Sequence, residues 1–128
     1  EAAFFRSYAN RVSEQYGSEF TNAGHRFQGS DKLKKKFGDA IQSVLSHGRR
    51  LIAGVDEAHN EICAASRLLV NPDPLFNLLE YEPNLLGCAK SIDFRATTDE
   101  GLKVYVDVKT ITPKPDRFLT SIQRHFLL

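Results

Sequence analysis

The residues best suited to chemistry lie between Lys90 and Thr110, in the stretch KSIDFRATTDEGLKVYVDVKT, which carries Asp93 near its start and Asp107 and Lys109 near its end. The stretch reads as two strands joined by a polar turn, Thr97 to Gly101, where the glycine suits the positive φ that hairpins commonly need. Successive side chains of a strand point to opposite faces. Ile92 and Phe94 therefore share one face, and Asp93 takes the other with Ser91 and Arg95. On the second strand Val104, Val106 and Val108 form an apolar row for a covered face, while Lys103, Tyr105, Asp107 and Lys109 point away from it. Closed as an antiparallel hairpin, the stretch brings two carboxylates and an ammonium to one side, a place to hold a divalent cation. The competing reading is a solvent-facing ion-pair cluster.

Other elements must position this hairpin. From Leu51 to about Leu69 the residues Val55, Ala58, Ile62, Ala65 and Leu69 recur at spacings of three and four, the pattern of a helix with one buried face. Glu61 falls on the flank of that stripe, from which a carboxylate can reach the edge of a packed sheet. Asn71-Pro72-Asp73-Pro74 ends the helix, because proline removes a backbone donor and biases the preceding residue towards extended geometry. Leu75 to Pro83 then fits a strand or a short helix by pattern alone, and is read as a strand because of the resemblance described below.

Upstream, residues 1–16 read as a helix through Ala2, Phe5, Ala9 and Val12, followed by a polar loop to Gly29 that contains a solvent-exposed His25. Ser30 is a plausible cap for a helix with Leu33, Phe37, Ile41, Val44 and Leu45 on its apolar stripe and an end near Gly48. Its first turns carry Lys32, Lys34, Lys35 and Lys36, either a solvated face or a patch that contacts phosphates. Downstream, residues 111–115 read as a loop and residues 117–128 as a helix with Phe118, Ile122 and Phe126 facing inward.

At 128 residues with 41% apolar and 26% charged side chains, the chain has the size and composition of a single soluble globular domain. A formal net charge of +1 neither requires nor excludes a nucleic-acid partner. No apolar run approaches the roughly 20 residues needed to span a bilayer, and the first residues lack the basic-then-apolar order of a secretory signal. A cytoplasmic protein without a membrane role is the expectation. Cys63 and Cys88 form no C-x-x-C pair and read as reduced, buried thiols.

A helix with a flanking Glu61, then Tyr81-Glu82-Pro83 closing a strand, then Ile92-Asp93-Phe94, a turn, and Asp107-Val108-Lys109 together resemble the PD-(D/E)xK nuclease superfamily. Asp93 falls where that family has the Asp of its first motif, with Ile92 in place of the proline that often precedes it, and Asp107-Val108-Lys109 matches its D/E-x-K. The resemblance covers residues 51–110. It implies an α/β restriction-endonuclease-like core, a helix followed by a mixed sheet with a central β-hairpin and then a further helix, over residues 51–128. Residues 1–50 would be an N-terminal helical extension. The family core continues with a helix and a fourth strand, and the residues after Thr110 suffice for the helix without clearly supplying the strand. The core is then truncated, or its sheet is completed by a homodimer or another subunit.

The function the resemblance implies is that of a metal-dependent (endo)nuclease, a hydrolase of phosphodiester bonds, with DNA as the expected substrate. Asp93 and Asp107 would hold Mg²⁺ (Mn²⁺ substituting), with the Val108 carbonyl as a third oxygen and Glu61 on a second ion or a metal-bound water. Lys109 would orient the attacking water and stabilise developing charge, a role ranked above that of a base because the two Asp side chains favour its charged form. Glu82 would support the site from behind, and Thr110 with the four lysines would contact nucleic acid. The alternative function is a catalytically inactive nuclease-like module that binds nucleic acid or a protein partner in a phage or mobile-element assembly.

Overall fold

The computed structural model describes residues 2–70, 76–87 and 91–111. Their secondary structure begins with helix α1 (Ala2–Ala23), a short 3-10 helix (Gly24–Arg26) and strand β1 (Phe27–Gln28). Helices α2 (Ser30–His47) and α3 (Ile52–Leu69) follow, the latter entered through a 3-10 turn at Arg49–Leu51. Strands β2 (Phe76–Tyr81), β3 (Phe94–Thr98) and β4 (Lys103–Val106) complete the described chain. This is an α/β arrangement with a mixed sheet in the order β1-β2-β3-β4. β1 runs parallel to β2, while β2 with β3 and β3 with β4 are antiparallel. A parallel pair needs a long crossover, and here α2 and α3 supply it.

α1 extends beyond the expected residues 1–16, because the apolar stripe continues through the half-buried Tyr16 to the buried Phe20. Part of the expected loop is thus helix, and Phe27, also assigned to that loop, is a buried strand residue paired with Leu79. His25 is exposed within the 3-10 helix. The cap of α2 is Gly29 rather than Ser30. Its φ of 89° and its carbonyl, which accepts the Leu33 amide at 3.1 Å, start the helix without a side-chain cap. The position demands glycine, because a Cβ there would lie 3.0 Å from the Tyr81 carbonyl oxygen. At the other end Gly48, with φ of 96°, closes the helix where expected.

Every member of the α3 stripe (Val55, Ala58, Ile62, Ala65, Leu69) is buried. So are Leu33, Phe37, Ile41 and Val44 of α2, and Phe5, Val12 and Phe20 of α1. They meet Leu79 and Tyr81 of β2 and Phe94 and Ala96 of β3 in one hydrophobic cluster. The alternation of buried and half-buried residues along β3 leaves one sheet face for the helices. Residues 1–50 thus contribute α1, α2 and β1 to the same core and the same sheet as the later elements. Of the valine row expected to be covered, Val106 and Val108 pack against the core, but Val104 is exposed, as is its neighbour Tyr105. They lie on the last strand in the sheet order, at its margin. Residues 117–128, expected to be helical, lie outside the described residues. Among the described residues no helix is long and apolar enough to cross a membrane.

Candidate functional site

The antiparallel register of β3 and β4 pairs Phe94 with Val106, Arg95 with Tyr105, Ala96 with Val104 and Thr97 with Lys103. Carried one position further, it sets Asp93 opposite Asp107. The sequence pattern places both residues on strands, but neither lies within the regular ladder: Asp93 occupies a bend just before β3, and Asp107 directly follows β4. The end of the ladder frees both side chains from strict alternation, which lets Asp93 turn towards α3.

Asp93 is held from two sides. Its carbonyl accepts the Glu82 amide at 2.7 Å, tying it to the end of β2. Its Oδ2 accepts the Val108 amide at 2.8 Å, tying it to the segment after β4. Burial raises the pKa of Asp93, the Val108 amide works against that rise, and the neighbouring Asp107 carboxylate adds to it. Asp107 is shifted the other way by the Lys109 ammonium, whose Nζ lies 2.8 Å from its Oδ2. Lys109 in turn has a raised pKa through Asp107, which keeps the exposed side chain protonated.

Glu61 is the most unusual group of the site. Expected on the flank of α3, it is only 1% exposed. Two long-range partners compensate its charge. The Lys36 ammonium from α2 lies 2.8 Å from Oε2 and also 3.0 Å from Oε1 of Glu57, one turn earlier on α3. The buried Tyr81 hydroxyl, from the end of β2, lies 3.3 Å from both Glu61 oxygens as donor. Burial raises the Glu61 pKa, Lys36 opposes the rise, and Asp93 adds to it. Burial also works against the Lys36 charge, but Glu61 and Glu57 outweigh it, so its pKa lies above the usual value. Burial and then Glu61 push the Tyr81 hydroxyl far up, so it acts as a donor only.

Glu82 bends the chain away from β2 with a φ of 46°, the sole positive value among the described non-glycine residues. The Lys32 ammonium lies 2.6 Å from its carboxylate and holds its pKa down. Thr110 accepts a hydrogen bond from Asn60 Nδ2 at 3.1 Å, which links the end of the Asp-Val-Lys segment to α3. The lysine run therefore divides. Lys36 turns inward to Glu61, Lys32 to Glu82 and Lys35 to Asp39, and Lys34 borders a cleft between α1 and α2 of about 210 Å³. Tyr81 and Asn60 escape sequence reasoning as site residues, and Lys36, expected to contact nucleic acid, instead pairs with Glu61, because each is joined to its partner across a long sequence separation.

The donor set suits a hard cation in one respect. Burial and the Asp107 carboxylate both oppose the charge of the half-buried Asp93, and a cation between the two carboxylates would offset that. Among the described residues no group of three or more His, Cys, Asp and Glu side chains forms a ready metal cage. Mg²⁺ commonly takes only one or two carboxylates and keeps several waters, so a pair is a sufficient protein contribution. No protein-family model, curated protein or solved structure matches the chain.

Proposed function

We propose that the chain is a metal-dependent nuclease of the PD-(D/E)xK type that hydrolyses phosphodiester bonds, with DNA as the first substrate class. The observation that carries this reading is the register-matched Asp93 and Asp107, with Lys109 on Asp107 and Glu61 delivered behind Asp93 by a buried helix position. Asp93, Asp107 and the Val108 carbonyl are the groups that would hold the cation. When bound, Mg²⁺ or Mn²⁺ supplies charge stabilisation for the transition state and a water of lowered pKa.

The remaining work falls to the chain's own residues. The protonated Lys109 places its ammonium against the attacking water and the non-bridging phosphate oxygens. There it orients the one and offsets the charge that builds on the other. Water adds to phosphorus, the bond from phosphorus to the leaving oxygen breaks, and the water's proton passes to solvent. Because its pKa is raised, Lys109 serves as an electrostatic group and not as the base. Glu61 stands behind Asp93 and restrains where that carboxylate points.

The test is cleavage of plasmid and of DNA and RNA oligonucleotides in Mg²⁺ or Mn²⁺ by the wild type, Asp107→Ala and Lys109→Ala. Metal-dependent cleavage lost in both variants is the expected result. Equal residual activity in all three proteins would identify a contaminant and sink the proposal.

A further inference from the structure

We infer that Lys36 is a positioning residue of this site, the built-in countercharge of the buried Glu61, and that the site therefore takes one divalent cation per chain, at Asp93 and Asp107, and not two. The inference rests on the nuclease reading and goes beyond it, since it sets the metal stoichiometry and brings α2 into the site.

The geometry is specific. A second ion on Glu61 would need a free oxygen facing outward and room for its own water shell. Instead Oε2 is occupied by the Lys36 ammonium at 2.8 Å, and both oxygens lie within 3.3 Å of the Tyr81 hydroxyl. Glu61 is only 1% exposed, which leaves little space for waters. The same ammonium also lies 3.0 Å from Glu57 Oε1, a second carboxylate that favours its place beside α3. Glu57 and Glu61 are one turn apart on α3, so Lys36 is gripped between consecutive turns of a helix that its own helix packs against. A second cation would have to displace this ammonium or lie against it, and like charges in a poorly hydrated place repel strongly. Lys36 thus does for Glu61 what a second metal ion would do: it neutralises the carboxylate and fixes its direction behind Asp93. The other lysines of the run have different partners or face the α1 cleft, so this role belongs to Lys36 alone among them.

Mn²⁺ binding to the purified chain, followed by the loss of the free-ion electron paramagnetic resonance signal, tests the inference without reference to cleavage. The wild type is expected to take up one Mn²⁺ per chain. Lys36→Gln, which keeps a hydrogen-bond donor for Glu61 but removes the charge, is expected to gain a second, weaker ion and the broadened spectrum of a coupled Mn²⁺ pair. Lys36→Arg is expected to stay at one. Two ions on the wild type, or one ion on both wild type and a folded Lys36→Gln, would overturn the inference and leave the nuclease reading standing. No ion on the wild type would overturn both. Where circular dichroism shows Lys36→Gln unfolded, a count of two ions on the wild type still overturns the inference.

Discussion

The carboxylate of Asp93 accepts the amide of Val108 at 2.8 Å, so the residue read from the sequence as a metal ligand also fastens the segment after β4 to the start of β3. Two roles on one side chain can be separated by substitution. Asp93→Asn keeps an oxygen for the Val108 amide and removes a charge that burial and Asp107 oppose. Its melting temperature is expected to match or exceed that of the wild type while Mn²⁺ binding is lost. Asp93→Ala also leaves the amide without its acceptor and is expected to cost about 1–3 kcal/mol. Paired denaturant melts and Mn²⁺ titrations of the two variants check the separation, and equal destabilisation by both would contradict it.

Gly29 supports the same end of the sheet through its backbone. It combines a φ of 89° with a close approach to Tyr81, whose carbonyl oxygen and Cβ would lie 3.0 and 3.1 Å from an added Cβ. Gly29→Ala is expected to lose roughly 1–3 kcal/mol from left-handed strain alone, with more from the contact. Gly17, where a Cβ would meet nothing within 4 Å, is the control. Gly17→Ala is expected to be neutral or stabilising, since it sits inside α1. Urea unfolding of both variants measures the contrast.

Phe94 is fully buried and stands where β3 meets the core, with ring neighbours Phe27 and Tyr81 from β1 and β2. Phe94→Ala is expected to cost about 3–5 kcal/mol. Because Tyr81 also holds Glu61, this substitution should loosen the site as well as the fold. A drop in Mn²⁺ affinity at temperatures where the variant is still folded would show that coupling.

Arg95 on β3 grips Glu80 on β2 with both Nε and Nη2, the latter 3.0 Å from Oε1. Arg95 holds the Glu80 pKa below its usual 4.5, against the rise from burial. The sign follows from linkage: a carboxylate whose folded pKa is depressed stabilises the fold above its unfolded value and loses that contribution as pH falls through its folded value. The wild type should therefore lose stability on acidification below about pH 4.5 more steeply than Glu80→Gln. Melting curves from pH 6 downward should converge for the two proteins, and a constant gap would refute the assignment.

Much of the local structure is legible in the residues. The three- and four-residue spacing on α2 and α3 marks faces that are buried, and Gly48 ends α2 as its place in the pattern predicts. Leu75 to Pro83, where pattern alone left helix and strand open, contains strand β2, Phe76–Tyr81. The errors share a physical origin. α1 runs on past Gly17 because Phe20 packs on Phe27, a contact that local pattern does not contain. Glu61 looks like a flanking charge on a helical wheel, since a wheel knows the direction of a side chain but not what arrives to cover it. Lys36 looks like one member of a solvated run for the same reason.

The periodic faces, the turn glycine at Gly101 and the hairpin order of Asp93, Asp107 and Lys109 are written in the local sequence, because they depend on residues within one helix or one hairpin. That Asp93 turns off the strand end towards a buried Glu61, and that Lys36 from α2 and Tyr81 from β2 compensate that carboxylate, follows from packing between distant elements. A buried charge persists only where a partner is brought to it, and these partners come from elements whose placement follows from the packing of the whole core.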